Sequence, residues 1–208
     1  IQEIYRLARD TDPITAQIRA SVETVDILDE YLSHICADIA VHRPLKVVVD
    51  CGNGTAGISA VPLYEKLGVE VIPLFVEVDG DFPNHHPDPT KEENLTDLIS
   101  EVRRSGADLG IGFDGDGDRI GVVDEKGGIL WGDMLMTIFA KDVLSRRPGA
   151  TIISEVKASE VLYEEIARLG GRPLMWKTGH SILKKKIVEE KAALAGEVSG
   201  HIFFSERW

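Results

Sequence analysis

KVVVDCGNGTAGISAVPLYEKLGVEVIPLF, residues 46–75, sets the fold class. It opens with an apolar run ending at Asp50, the pattern of a strand buried on both faces. Gly52, Gly54 and Gly57 punctuate the turn that follows. Residues 58–67 then read as a helix ended by Gly68, and 69–75 return to a strand. Strand, helix and strand in this order predict a parallel sheet covered by helices.

The same grammar extends in both directions. Upstream, a short helix closes at Leu7–Ala8, and a longer one is expected over 22–39. There Val25, Leu28, Leu32, Ile35 and Ile39 recur at three- and four-residue spacing. Downstream, 77–90 is rich in Pro, Asp and His and reads as a loop. A helix over 92–104 and strands over 108–113 and 119–124 follow. The turn at 125–128 marks the expected boundary. Beyond it come a helix (133–145), a strand (151–154), a helix (159–168), a strand (173–176), a helix (180–190) and a strand (193–196). The expected fold is α/β: two consecutive three-layer domains with mixed, mainly parallel sheets, over 22–127 and 128–208. The apolar run Ile202–Phe204 stands just before Trp208, an unusual place for a domain to finish.

Composition narrows the function classes. Hydrophobic residues are 43% and charged residues 28%, as in ordinary folded proteins. No stretch approaches the roughly 20 apolar residues of a membrane span. A net charge of −12 argues against nucleic-acid backbone binding, so any anionic ligand needs a local cation or metal. The start, IQEIYRLARDTDPIT, lacks the pattern of a signal peptide, and Cys36 and Cys51 are the two cysteines. A cytoplasmic protein without a disulfide framework is expected.

Asp114-Gly115-Asp116-Gly117-Asp118-Arg119 carries the most chemistry. Three carboxylates at alternate positions repel one another unless a cation sits among them. The intervening glycines let the backbone curl around an ion, and oxygen ligands select Mg²⁺, Mn²⁺ or Ca²⁺. A calcium hand is one alternative, since Asp114, Asp116, Asp118 and Glu125 match its positions 1, 3, 5 and 12. Its sixth position requires Gly, however, and Arg119 stands there. A solvated acidic turn is the other. Arg119 adds a permanent, bidentate cation suited to a phosphate, or to neutralising the aspartates.

Gly52-Asn53-Gly54-Thr55-Ala56-Gly57 matches the dinucleotide fingerprint, with Glu70 or Glu77 as the ribose-binding acid. That alternative makes the protein an NAD-dependent oxidoreductase. Against it, Asp50 and Cys51 lengthen the turn, and the acidic loop has no task in hydride transfer. A tight structural turn is the competing expectation.

Three further stretches follow strands, where α/β ligands gather. Lys157 is the first. Thr178-Gly179-His180 opens a helix whose amides attract anions, with Lys177 adjacent. Glu197, Ser199 and His201 lie on the third, the loop Gly196–His201 hinged by Gly196 and Gly200. They offer an acceptor, a hydroxyl and a group suited to proton transfer. Lys184, Lys185 and Lys186 read as a solvated helix face, and Phe82–Pro89 as a proline-locked connection rather than a zinc site.

KVVVDCGNGTAG, VDGDFPNHHPDP, GFDGDGDRIGVVD, RPLMWKTGHSILKKK and AGEVSGHIFFSERW together resemble the α-D-phosphohexomutase superfamily. The likeness runs from about Val25 to the end, and DGDGDR, KTGH and GEVSGH in this order form a highly specific set. Such enzymes have four domains, and this chain resembles the second and most of the third, with residues 1–21 leading in from the first. The resemblance implies Mg²⁺ held by Asp114, Asp116 and Asp118, with Arg119 near the transferred phosphoryl group. It implies substrate held by Lys157, Thr178, Gly179 and His180, sugar hydroxyls bound by Glu197 and Ser199, and proton transfer by His201. Val198, where the family has Met, is expected to be harmless. The implied reaction interconverts hexose 1- and 6-phosphates through a phosphoserine and a hexose bisphosphate. The family's Ser-His-Asn-Pro nucleophile is absent from these 208 residues. The first and fourth domains are therefore the expected partners, and this chain alone is expected to be inactive.

Overall fold

The structure is a computed structural model describing residues 1–12 and 21–206. Residues 13–20 of the leading segment, and 207–208, lie outside the described residues. Helix α1 spans Gln2–Asp10 and buries no residue. The helix expected over 22–39 is α2, Leu28–Ala37. Val22, Val25 and Ile27 are exposed, so no buried face offsets the low helix propensity of β-branched residues. The Asp26 carboxylate accepts a hydrogen bond from the Leu28 amide just before α2 begins.

The first sheet contains β1 (Lys46–Asp50), β2 (Glu70–Leu74), β3 (Leu109–Phe113), β4 (Ile120–Asp124) and β5 (Ile129–Leu130), in the order β2-β1-β3-β4-β5. Strand β1 runs parallel to β2 and β3, whereas β3, β4 and β5 are joined antiparallel. Helix α3 (Ala60–Lys66) is preceded by a 3₁₀ turn at Thr55–Ile58, and α4 (Thr96–Ser105) by one at Glu92–Leu95. Alternation along β1 makes this a three-layer unit. Val47 and Val49 pack with Ala56, Ala60 and Val69, while Val48 faces Leu95, Leu98 and Val102.

The second sheet has the order β7-β6-β8-β9, from β6 (Thr151–Glu155), β7 (Arg172–Trp176), β8 (Leu194–Gly196) and β9 (Ile202–Phe204). Strand β6 is parallel to β7 and β8, and β9 returns antiparallel. Helices α5 (Gly132–Arg146) and α6 (Glu160–Arg168) cover one face around Ile152, and α7 (His180–Glu190) covers the other through Leu183 against Ile153. Both sheets are mixed, with four parallel and three antiparallel ladders. The two strands absent from the sequence reading are β5, two residues long, and β9, the unassigned apolar run.

This topology places the chemistry. The loops after β1 and β3 leave the same edge of the first sheet, and those after β6, β7 and β8 the same edge of the second. The edges meet where the Ile120 amide donates to the Gly200 carbonyl at 3.3 Å.

Candidate functional site

The acidic loop is the hairpin joining β3 to β4. Asp114 is 3% exposed, whereas Asp116 and Asp118 face solvent. One carboxylate oxygen from each lies within 4.8 Å of the others. Three hard carboxylate oxygens converging from one glycine-hinged loop are the donor set that Mg²⁺ takes, so the residues present fit such an ion. A calcium hand does not fit, because strands flank the loop and Arg119 stands where its sixth residue must be Gly. The Arg119 amide donates to Asp114 Oδ1 (3.0 Å), and its Nε to Oδ2 (2.7 Å).

Arg119 Nη1 reaches Asp88 Oδ1 at 3.1 Å, drawing the Pro-rich loop against the acidic one. Burial of Asp88 works to raise its pKa, but the Thr90 hydroxyl and amide and the Arg119 charge outweigh it, leaving the value lowered. Asp88 was missed as a site residue because it looked like one more polar residue of a connecting loop.

The glycine-rich loop supports its neighbour and offers no cradle for a dinucleotide. The amides of Gly52, Asn53, Gly54 and Gly57 donate to Asp50 Oδ1 and to the carbonyls of Phe75, Cys51 and Gly54. The Thr55 amide donates to the Gly115 carbonyl at 3.0 Å, tying this loop to the acidic one. A Cβ on Gly57 would stand 1.9 Å from the Val76 carbonyl oxygen, so backbone already fills that space. The donors a pyrophosphate needs are spent internally, which removes the physical basis of the NAD reading.

In the second unit Glu197 is 3% exposed. Its Oε1 accepts from the Gly179 amide at 2.6 Å, and its Oε2 lies 2.9 Å from His201 Nδ1. The Ser199 hydroxyl is also 2.9 Å from that nitrogen. The other ring nitrogen, Nε2, lies 3.1 Å from Asp118 Oδ1 on the acidic loop. His180, opening α7, stacks on His201 with ring centroids 5.5 Å apart. Lys157 lies 3.4 Å from Glu155 Oε2, which also accepts from the Thr178 hydroxyl at 2.5 Å. Lys177, Lys184 and Lys185 are exposed, although the Lys184 ammonium lies 5.1 Å from the centre of the Phe203 ring. Lys186 instead folds over the Trp176 ring at 4.3 Å and pairs with Glu190. Residues far apart in sequence thus converge: Asp114, Asp116, Asp118 and Arg119 on one wall, Thr178, Gly179, His180, Glu197, Ser199 and His201 on the other. Lys157 stands behind the second wall through Glu155.

The family description "Phosphoglucomutase/phosphomannomutase, alpha/beta/alpha domain II" matches residues 29–128, and that of domain III matches 131–208. The chain belongs to the phosphohexomutase family. This phosphohexomutase chain is 61% identical over 188 residues to the phosphomannomutase/phosphoglucomutase of Pseudomonas aeruginosa, covering 90% of this chain and 41% of that protein. A crystal structure of a phosphoglucomutase/phosphomannomutase family protein from Burkholderia thailandensis superposes with a TM-score of 0.86 at 52% identity, covering 89% of this chain and 41% of that one. The N-acetylphosphoglucosamine mutase of Aspergillus fumigatus, solved with GlcNAc-6P and magnesium, shares the fold. Its TM-score is 0.58 at 21% identity, covering 86% of this chain and 40% of that one. The chain therefore spans well under half the length of these relatives. Among the described residues no helix is long and apolar enough to cross a membrane.

Proposed function

We propose that this chain supplies the metal-binding and sugar-binding loops of an intramolecular phosphotransferase that interconverts hexose 1- and 6-phosphates. The observation that carries the reading is the meeting of the acidic loop with the Glu197–His201 loop through His201 and Asp118, 3.1 Å apart. A phosphoryl-transfer site needs cationic compensation beside hydroxyl-recognising groups, and this junction brings the two within one side chain of each other.

In the proposed site Asp114, Asp116 and Asp118 hold Mg²⁺, which offsets charge on the phosphoryl group when bound. Arg119, steered by Asp114 and Asp88, directs its remaining N–H donors at the phosphoryl oxygens. His180 faces the anionic substrate at the start of α7, on a turn that the Gly179 amide fixes to Glu197. Thr178 and Lys157 flank it. Ser199 and the unused lone pairs of Glu197 take sugar hydroxyls. His201 Nδ1 is fixed by Glu197, and Nε2, which faces Asp118 in the absence of substrate, carries the proton exchanged with the reacting hydroxyl. The phosphoryl group passes from a phosphoserine to the free hydroxyl of a hexose monophosphate, giving a bisphosphate. The other phosphoryl group then returns to the serine. Residues 1–208 carry no Ser-His-Asn-Pro sequence, so the donor serine lies outside them.

The test follows phosphorus NMR of mannose 1-phosphate with Mg²⁺. The 208-residue chain is expected to perturb the phosphate resonance without producing 6-phosphate. Conversion by this chain alone contradicts the assignment of the nucleophile elsewhere, and no perturbation under any Mg²⁺ concentration contradicts the site.

A further inference from the structure

In each sheet the strand that runs parallel to both of its neighbours ends in a buried acid: β1 in Asp50 and β6 in Glu155. Glu155 is 0% exposed. A carboxylate so completely removed from water is costly unless its oxygens are fully engaged, and here they are. Oε1 accepts the Val198 amide at 2.9 Å. Oε2 accepts the Thr178 hydroxyl at 2.5 Å and faces Lys157 Nζ at 3.4 Å. Its main-chain carbonyl accepts the Tyr163 hydroxyl at 2.6 Å, which pins the end of β6 to α6.

These partners come from three different loops. Lys157 follows β6, Thr178 follows β7, and Val198 lies between Glu197 and Ser199 after β8. Core packing alone does not call for an acid at this position, since Ile152 and Ile153 of the same strand meet the helices with apolar side chains. What the acid adds is a single rigid point from which all three loops hang. Val198 is held from both sides, its side chain packed on the core and its amide on Glu155.

We infer that Glu155 is the positioning residue that holds the three sugar-phosphate loops of the second unit in mutual register. The inference rests on the phosphohexose reading above. Glu155 touches neither the acidic loop nor any proposed reacting atom. Its influence passes to substrate through Thr178, Lys157 and the backbone of the Glu197–Ser199 loop.

The experiment compares E155D and E155Q in the intact mutase that carries these domains. Withdrawing the carboxyl group by one methylene in E155D pulls it from partners it now reaches together. A displacement of this order is expected to raise KM for hexose 1-phosphate about tenfold or more, with kcat and Mg²⁺ dependence nearly unchanged. E155Q keeps the reach: its carbonyl accepts from Val198 and its NH₂ donates to the Thr178 oxygen, while only the solvent-exposed Lys157 loses its partner. It is expected to restore KM to within about threefold of the unaltered enzyme. Amide hydrogen exchange at Val198 should accelerate in E155D and stay protected in E155Q. Unchanged KM and unchanged Val198 protection in E155D overturn the inference, as does E155Q falling as low as E155D. If the unaltered protein isomerises no hexose phosphate, the functional reading fails, and Val198 exchange still decides whether Glu155 sets the loops.

Discussion

His201 Nε2 lies 3.1 Å from Asp118 Oδ1, and Nδ1 of the same ring lies 2.9 Å from Glu197 Oε2. One imidazole thus spans from the hairpin of the first sheet to the carboxylate loop of the second. Removing it should leave both loops folded, since Gly200 and Ile120 still join them. In the intact enzyme His201→Ala is expected to lower kcat by about 100-fold or more, with Mg²⁺ affinity little changed. Steady-state kinetics beside a Mg²⁺ titration check this, and wild-type kcat would exclude proton transfer by His201.

The acidic loop should bind Mg²⁺ without any other ligand. Calorimetric titration of the unaltered chain against Asp116→Ala is expected to show affinity falling about tenfold or more, from the loss of one charged oxygen ligand. NAD should give no thermal protection, because the glycine loop's amides are already spent. A marked preference for Ca²⁺ would revive the calcium alternative.

Gly57 is a packing residue. A methyl group there meets the Val76 carbonyl oxygen at 1.9 Å, and backbone cannot yield as a flexible side chain does. Gly57→Ala is expected to destabilise the protein by about 1–3 kcal/mol or more in urea unfolding. Full stability would show that the loop after β1 is free to move.

Stability should depend on pH through His85. Its Nε2 lies 3.1 Å from Asp50 Oδ2, and this hydrogen bond, against opposing burial, raises the His85 pKa. Because the folded state favours the protonated ring, the stabilisation is fully present below the unfolded value of about 6.5. It disappears as pH rises through the higher folded value. The stability gap between the unaltered protein and His85→Gln should therefore be larger at acidic than at alkaline pH. A gap that grows with pH would contradict the pairing.

Cys51 should be inert. Burial, then the Asp50 charge, pushes its thiol up to about 12, and the side chain is 0% exposed. Iodoacetamide on the native protein is expected to label Cys36 and spare Cys51, with both reacting after denaturation. Mass spectrometry of the peptides reads the result.

Much of this was local and therefore legible. Short apolar runs, helical period and glycine punctuation predict β1, β2, β6 and α7, because these signals act over a few residues. Asp114, Asp116 and Asp118 announced themselves through charge density within five positions. Helix α2 is shorter than its periodicity suggests, because periodicity alone does not say whether a face is buried, and Val22 and Val25 are exposed. Strand β5 is too short to show a period.

The sequence by itself determined the two α/β units, the acidic cluster and the loops that follow their strands. Tertiary structure decided which of these meet. It set Asp88 on Arg119, spent the glycine loop's amides, turned Glu197 inward onto Gly179 and His201, and buried Glu155 among three loops. The Asp88–Arg119, Glu197–Gly179 and Glu155–Val198 contacts join residues 31, 18 and 43 positions apart, and strand pairing, which brings the loops to one edge, makes them neighbours.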